Sequence, residues 1–183
     1  MITAQNKISF EQMTKMNLKL ITTIPFFLLV FIAKAQNTNE YPKVAAYFSV
    51  NHPLVTFSAN SFPVYDFDHS YTVGFPMGIN IIKSDKLAYS IEIVPTINSS
   101  KGVTKTTNLA IQPGLIFRYP HGFNVLTRLA FETAGRYGTN LVFNKVLYKT
   151  KMNSYWVSVP IPARFGNNSP ASIGLGLQFG VTF

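Results

Sequence analysis

The strongest pattern along this chain is alternation with a period of two residues. From Ala171 to Phe183 every odd position is apolar, while Ser172, Gly174, Gly176, Gln178, Gly180 and Thr182 between them are small or polar. Successive side chains of a strand point to opposite faces, so this segment predicts a strand with one face in an apolar medium and the other in a crowded polar lumen. The same parity recurs in Tyr71, Val73, Phe75, Met77, Ile79 and Ile81, and again in Leu87, Tyr89, Ile91, Ile93, Pro95 and Ile97. Lys83-Ser84-Asp85-Lys86 lies between those two runs as a polar turn, which makes them a hairpin.

A second hairpin follows. Leu109, Ile111, Pro113, Leu115 and Phe117 share one face, Tyr119-Pro120-His121-Gly122 forms a turn, and Phe123, Val125, Leu129 and Phe131 continue beyond it. Tyr155, Val157, Val159 and Ile161 predict a strand that Asn167-Asn168-Ser169-Pro170 turns into the last one. Lys43 to Ser58 supplies a first strand whose apolar parity shifts after His52-Pro53, the mark of a bulge near Pro53. Between Asn140 and Lys149, Lys145 and Lys149 share a face with Leu141, Phe143 and Leu147, so the pattern leaves that strand's orientation open. Eight strands are therefore expected, with loops centred near residues 63, 102, 138 and 168 and short turns near 84, 120 and 151. An even count closes a single antiparallel barrel.

The polar parity consists mainly of Gly, Ser, Thr and Asn, and the apolar parity of large aliphatic and aromatic groups. A soluble barrel such as a lipocalin has the reverse arrangement, with bulky apolar residues inside and frequent charges outside. The expected fold is therefore all-β, a transmembrane β-barrel of about eight strands. Composition agrees: 13% of residues are charged, against roughly 25% in average soluble domains. With no cysteine, the chain has no disulfide, thiolate metal site, cysteine nucleophile or lipid-bearing Cys.

One segment departs from the strand pattern. Leu20 to Ala33 is a run of 14 uncharged residues behind Lys19, short of the roughly 20 that span a bilayer as a helix, and Ala33-Lys34-Ala35 follows as a small-x-small cleavage site. Residues 16–35 read as a signal peptide, residues 1–15 as an extension from a start codon placed too early, and residues 36–183 as the barrel domain. Of 16 Lys and Arg and 7 Asp and Glu, residues 1–35 hold Lys7, Lys15, Lys19, Lys34 and Glu11, which leaves 12 basic and 6 acidic, a net of +6. An exported chain with dispersed lysines is not expected to bind nucleic acid. Anionic headgroups or surface polysaccharide are the expected neighbours.

A signal peptide, a mature barrel of about 150 residues and a final strand with Leu175, Leu177, Phe179, Val181 and a terminal Phe183 together resemble the small outer-membrane β-barrel proteins of Gram-negative bacteria, the porin-like group that includes the OmpA and OmpW kinds. The resemblance extends over the whole mature chain by pattern more than by a distinctive motif. It implies an outer-membrane location and recognition of the last strand by the barrel-assembly machinery.

On the lumen-facing parity lie Glu92, Gln112, Arg118, Arg128, Glu132 and Arg136. Charges in so narrow a lumen must be paired, and register counting from the turns places Glu92 within reach of Arg128 across the intervening strand. Such pairs fill small barrels as a structural plug; a gated polar path is the sharper alternative. Asp66-Phe67-Asp68-His69 is a possible metal cluster, although outward loops ordinarily carry solvated acids, and no metal or cofactor is expected. His52 stands apart from carboxylates, and His121 reads as a turn residue beside Gly122. Ser90 with Glu92 is a thin case for an acyl hydrolase, since no Gly-x-Ser-x-Gly elbow is present. Lys101, Lys105, Lys145, Lys149 and Lys151 read as interfacial anchors, and Tyr41, Tyr47, Tyr71, Tyr119, Tyr137, Tyr148, Tyr155 and Trp156 as girdle residues near strand ends.

The expected role is structural or in surface interaction, without catalysis. A narrow channel or a binder of small apolar ligands is the alternative, and a lipid-modifying outer-membrane hydrolase the third. The residues do not specify an oligomeric state. Fractionated cells should yield a chain that begins at Gln36 in the outer membrane; an intact N-terminus in the inner membrane, found by mass spectrometry, would contradict the targeting assignment.

Overall fold

The structure is a computed structural model and describes residues 41–59, 61–67 and 70–183. The expected extension (1–15), the signal peptide (16–35), residues 36–40 of the expected mature chain, and Asp68 and His69 lie outside those residues. Among the described residues, one antiparallel sheet contains β1 (Lys43–Ser58), β2 (Val64–Tyr65), β3 (Ser70–Gly74), β4 (Met77–Ile82), β5 (Leu87–Ser100), β6 (Val103–Arg118), β7 (Phe123–Glu132), β8 (Tyr137–Lys149), β9 (Ser154–Phe165) and β10 (Ser172–Thr182). From β5 onward each strand pairs with the next, and β10 returns to β1 from Tyr47↔Thr182 to Ser58↔Ser172, which closes the ring.

The ring has eight staves. β3 and β4 are halves of one stave, because Gly74↔Thr96 and Met77↔Ile93 keep a single register across Phe75–Pro76. Pro76 has no amide to donate, yet its carbonyl accepts from Ser49 N and Phe75 N donates to Pro95 O, both at 2.9 Å. β2 is a two-residue patch on Val55 and Thr56 of β1. The β1 register shifts between Pro53 and Val55, where the change of apolar parity placed a bulge.

Two expectations about connections are corrected. Residue 138 lies inside β8, and the β7–β8 link is the turn Thr133–Arg136, so Arg136 is a turn residue and not a strand one. The link at 102 is the two-residue turn Lys101–Gly102, with φ of 51° and 76°, the left-handed pair that suits a tight hairpin. The orientation of β8 is settled by its neighbours. Asn140, Val142 and Asn144 face inward, while Leu141, Phe143 and Lys145 face outward, and Lys145 Nζ bonds the His121 carbonyl at 2.7 Å. A register shift between Val146 and Tyr148 then turns Lys149 to the lumen mouth.

The burial pattern is inverted relative to a soluble protein. Ile91, Leu129 and Phe131 are more than half exposed on the outside, whereas the polar Ser90, Glu92, Gln112 and Arg128 are at most 4% exposed on the inside. The eight staves run from 10 to 16 residues, and a tilted strand needs about 9–11 to cross a hydrocarbon core. Both described termini and the turns near 84, 120 and 151 lie at one end of the barrel, since Lys43 pairs with Ile82 and Ala46 exchanges backbone hydrogen bonds with Phe183.

Candidate functional site

The lumen is closed at mid-height by side chains from β1, β5, β7 and β9. A charge excluded from water must find compensation locally, and Glu92 finds it from two directions. Arg128 Nη1 lies 3.4 Å from Glu92 Oε1, with the two side chains 4% and 2% exposed. Tyr47 Oη donates to Glu92 Oε2 at 2.7 Å. Arg128 Nη2 donates to Tyr47 Oη at 3.2 Å and to Ser90 Oγ at 3.3 Å, which joins the three strands in one network.

Both partners reach Glu92 by crossing an intervening strand, and each crosses at a glycine. Arg128 on β7 passes over Gly114 of β6, where a Cβ would lie 2.5 Å from Arg128 Cγ and 2.2 Å from the Thr127 carbonyl oxygen. Tyr47 on β1 passes over Gly78 of β4, where a Cβ would lie 2.8 Å from the phenol oxygen. Trp156 on β9 packs edge-on against Tyr47 with ring centroids 6.1 Å apart and donates from Nε1 to Thr182 Oγ1 at 2.9 Å. Gln178 Nε2 bonds Ser49 Oγ at 2.8 Å and fills the remaining sector between β10 and β1.

The other lumen candidates are spread over separate levels and do not form one network. Above the plug, Asn140 Nδ2 bonds Gln112 Oε1 at 3.1 Å. Higher still, Glu132 pairs with Arg164 of β9, Nε to Oε1 at 2.5 Å. Arg136 donates from the β7–β8 turn to the carbonyls of Arg164 and Pro170 and to Ser172 Oγ, and so ties two turns together. Arg118 lies at the opposite end, with Nη1 on the Ser84 carbonyl at 3.0 Å.

Sequence reasoning assigned Tyr47 and Trp156 to the girdle, and the structure moves both into the lumen, 4% and 9% exposed. A signal for this was present: Tyr47 shares parity with Ser49, and Trp156 with Ser158 and Arg164. Tyr119, Tyr137, Tyr148 and Tyr155 are exposed near strand ends, as girdle residues are. Of the metal candidates, Asp66 uses both carboxylate oxygens to accept from Thr72 N, at 2.9 and 3.1 Å, while His52 Nδ1 is bonded to Tyr71 Oη at 2.9 Å. His121 has φ of 59° beside Gly122 in its turn. Among the described residues no group of three His, Cys, Asp or Glu is placed to hold a metal.

The plug separates two cavities. The one on the loop side is about 90 Å³, and Glu92, Gln112, Glu132 and Asn140 are among its lining residues. The one on the termini side is about 500 Å³, has Tyr47, Arg128, Trp156 and Gln178 at its inner end, and opens past Arg118 and Lys149. At that mouth the Tyr41 hydroxyl bonds the Asp85 carboxylate, and this hydrogen bond, ahead of any other influence, raises the phenol above its ordinary pKa.

These features define a closed, antiparallel eight-stave barrel with an apolar exterior and a plugged polar lumen. Its solved neighbours include a structure described as a de novo designed transmembrane β-barrel, 12% identical, with 77% of this chain and 98% of that one covered and a TM-score of 0.41. A second is the de novo designed TMB2.3, solved by NMR in solution, 8% identical over 78% of this chain and 97% of that one, with a TM-score of 0.42. No family model and no curated protein matches the chain. Closure of the barrel stands on the pairing of its own strands.

Removing one partner of the plug should be worse than removing the pair. Arg128→Met leaves Glu92 buried with Tyr47 alone and should cost on the order of 3 to 5 kcal/mol, while Glu92→Gln combined with Arg128→Met should recover much of the loss. Urea unfolding followed by the heat-dependent gel shift reads the cycle, and strictly additive effects would show that the two residues are not coupled. Gly114→Val should destabilise to a similar degree as Arg128→Met, because its side chain would occupy the space that Arg128 crosses.

Proposed function

We propose that this chain is an integral outer-membrane barrel of a Gram-negative bacterium, of the OmpA and OmpW kind, whose role is structural or in surface interaction, with neither conduction nor catalysis. The observation that carries this reading is the combination of an apolar exterior with a lumen closed at mid-height. Ser49, Ser90, Glu92, Arg128 and Gln178 are each at most 4% exposed at that level. Ions have no wide aqueous path through such a level, and a paired, hydrogen-bonded plug opposes opening because separating its charges leaves each one desolvated.

Several features support the finer points. Strand β10 shows its apolar face outward at Ile173, Leu175 and Phe179, consistent with a strand that assembly machinery reads. Ser90, the nearest candidate for a nucleophile, is 1% exposed and accepts from Arg128 within the plug, where no substrate reaches it. At the loop end, Phe62, Tyr65 and Phe67 of the β1–β3 connection are exposed, and Val103–Thr107 of β6 extends beyond the start of its pairing with β7 as an uncovered edge. Exposed aromatic groups beside a free strand edge suit contact with another surface.

Two measurements test the proposal. In planar bilayers the protein should give no conductance steps, and regular steps would restore the channel reading. Ile91→Arg places a cation on the outer face at the level of the plug and should cost about 2 to 4 kcal/mol in vesicles. In a soluble barrel the same exposed position would tolerate Arg with little change, so a neutral result would overturn the membrane assignment.

A further inference from the structure

The two halves of the lumen differ in chemistry. Above the plug the inward positions are mostly polar, but below it Ala88, Ile116, Leu126 and Val142 stand side by side on β5, β6, β7 and β8, joined in register as Ala88↔Ile116↔Leu126↔Val142. Ile82 of β4 packs against this cluster. The facing wall is mixed, with Asn80, Ser158, Gln178 and Thr182 beside the rings of Tyr47 and Trp156. One side of the 500 Å³ cavity is thus an apolar belt, placed between a polar plug and a polar mouth. Water fills a polar lumen readily, but it gains little against a belt of this kind, whereas an alkyl chain covers it favourably.

Charge is also asymmetric. Lys43, Lys83, Lys86, Arg118, Lys145, Lys149 and Lys151, seven of the 12 basic residues after position 35, lie at the end where the cavity opens. Among the described residues the acidic side chain at that end is Asp85, which also lines the cavity and is bonded by Tyr41. Arg118 and Lys149 line the mouth itself, on β6 and at the end of β8, one on either side of the entrance to β7. From Arg118 to Gly114, the level of the plug, β6 runs four residues, or roughly 14 Å of strand. A slot of that depth with a basic rim and an apolar wall matches one chain with one anionic head.

We infer that this half-lumen binds a single-chain anionic amphiphile, a medium-length alkyl carboxylate. It enters from the termini end, its carboxylate lying between Arg118 and Lys149 and its chain along the Ala88–Ile116–Leu126–Val142 belt. The site rests on the barrel reading, since the belt and the rim come together only when the ring is closed. Its volume falls within the range of small-ligand cavities, about 300 to 1,000 Å³, and the plug stops the chain at mid-height, so the barrel holds such a molecule without passing it through.

The chain carries its own reporter, because Trp156 is its single tryptophan and lines the cavity. The protein, folded into phosphatidylcholine vesicles and scored first by its heat-dependent gel shift, is titrated with a terminally brominated alkyl carboxylate while Trp156 emission is followed. The site predicts saturable quenching that unlabelled carboxylate reverses, with weaker quenching by the matching brominated alcohol. The Arg118→Gln, Lys149→Gln double variant should lose about tenfold in affinity for the acid, in keeping with the loss of charge-assisted contacts, and no affinity for the alcohol. Should that variant not insert, Lys149→Gln alone, at an exposed position, should still weaken the acid selectively. Linear quenching that is the same in wild type and variant would show partition into the bilayer and overturn the site. Equal quenching from brominated phosphatidylcholine would assign the cavity to lipid chains, and equal binding of acid and alcohol would remove the basic rim from the argument; each overturns the inference. A chain that never acquires the shifted band overturns the barrel and the site together, whereas one that inserts and is not saturably quenched overturns the site alone.

Discussion

The interior of this protein depends on one desolvated carboxylate. Glu92 is 2% exposed in the middle of a barrel, where no bulk water solvates its charge, and its negative charge must therefore be met by groups that reach it through the lumen. In an eight-stave ring those groups come from strands that do not neighbour β5 directly. Arg128 and Tyr47 arrive from opposite sides, and the strands they cross carry Gly114 and Gly78 at the crossing points. The glycines thus serve the ion pair: each is the empty volume that another strand's long side chain occupies. Trp156 repeats the arrangement over Gly180 and braces Tyr47 from the far side.

Closing the lumen at one level divides it into two unlike compartments. On the loop side the lining is mainly polar, with Asn108, Gln112, Glu132 and Asn140 beside Val94, Ala110 and three prolines, and it is tied off by the Glu132–Arg164 pair and by Arg136 across two turns. On the termini side the belt of Ala88, Ile116, Leu126 and Val142 gives the lumen an apolar wall, and the basic residues gather around its opening. A barrel that only needed its interior filled could use the same polar packing throughout. The change of chemistry across the plug is what separates a filled interior from a compartment with a preferred occupant.

The exterior answers to a different constraint. Large apolar side chains at positions such as Ile79, Ile91, Leu129 and Phe179 are half exposed along the whole ring, an arrangement that water penalises and hydrocarbon accepts. Most strand hydrogen bonds are completed by neighbouring strands, with gaps in the ladder at Pro113, Pro160 and Pro162, which have no amide to donate, and β10 pairing with β1 closes the wall without an edge. Among the described residues a free edge, Val103–Thr107, lies beyond that wall, on the hairpin that rises above the ring.

Period-two alternation by itself determined most of the fold. Side-chain direction in a strand is a local property of the backbone, so the inward and outward faces of β5, β6, β7 and β10, the bulge at Pro53 and the reach of Arg128 toward Glu92 were all legible from residue order. Residue order could not decide what depends on neighbours distant in the chain. The orientation of β8 was ambiguous because Lys145 and Lys149 share its apolar parity, and only pairing with β7 and β9, together with the register shift before Tyr148, turned the two lysines to different sides. Tyr47 and Trp156 looked like girdle aromatics because both stand near strand ends, and only the glycines of adjacent staves, 31 and 24 positions away, provided the space that admits them to the lumen. The partner of Glu132, the apolar belt and the basic mouth belong to the same class. Each is a juxtaposition across the ring, made by closure and therefore absent from any single strand.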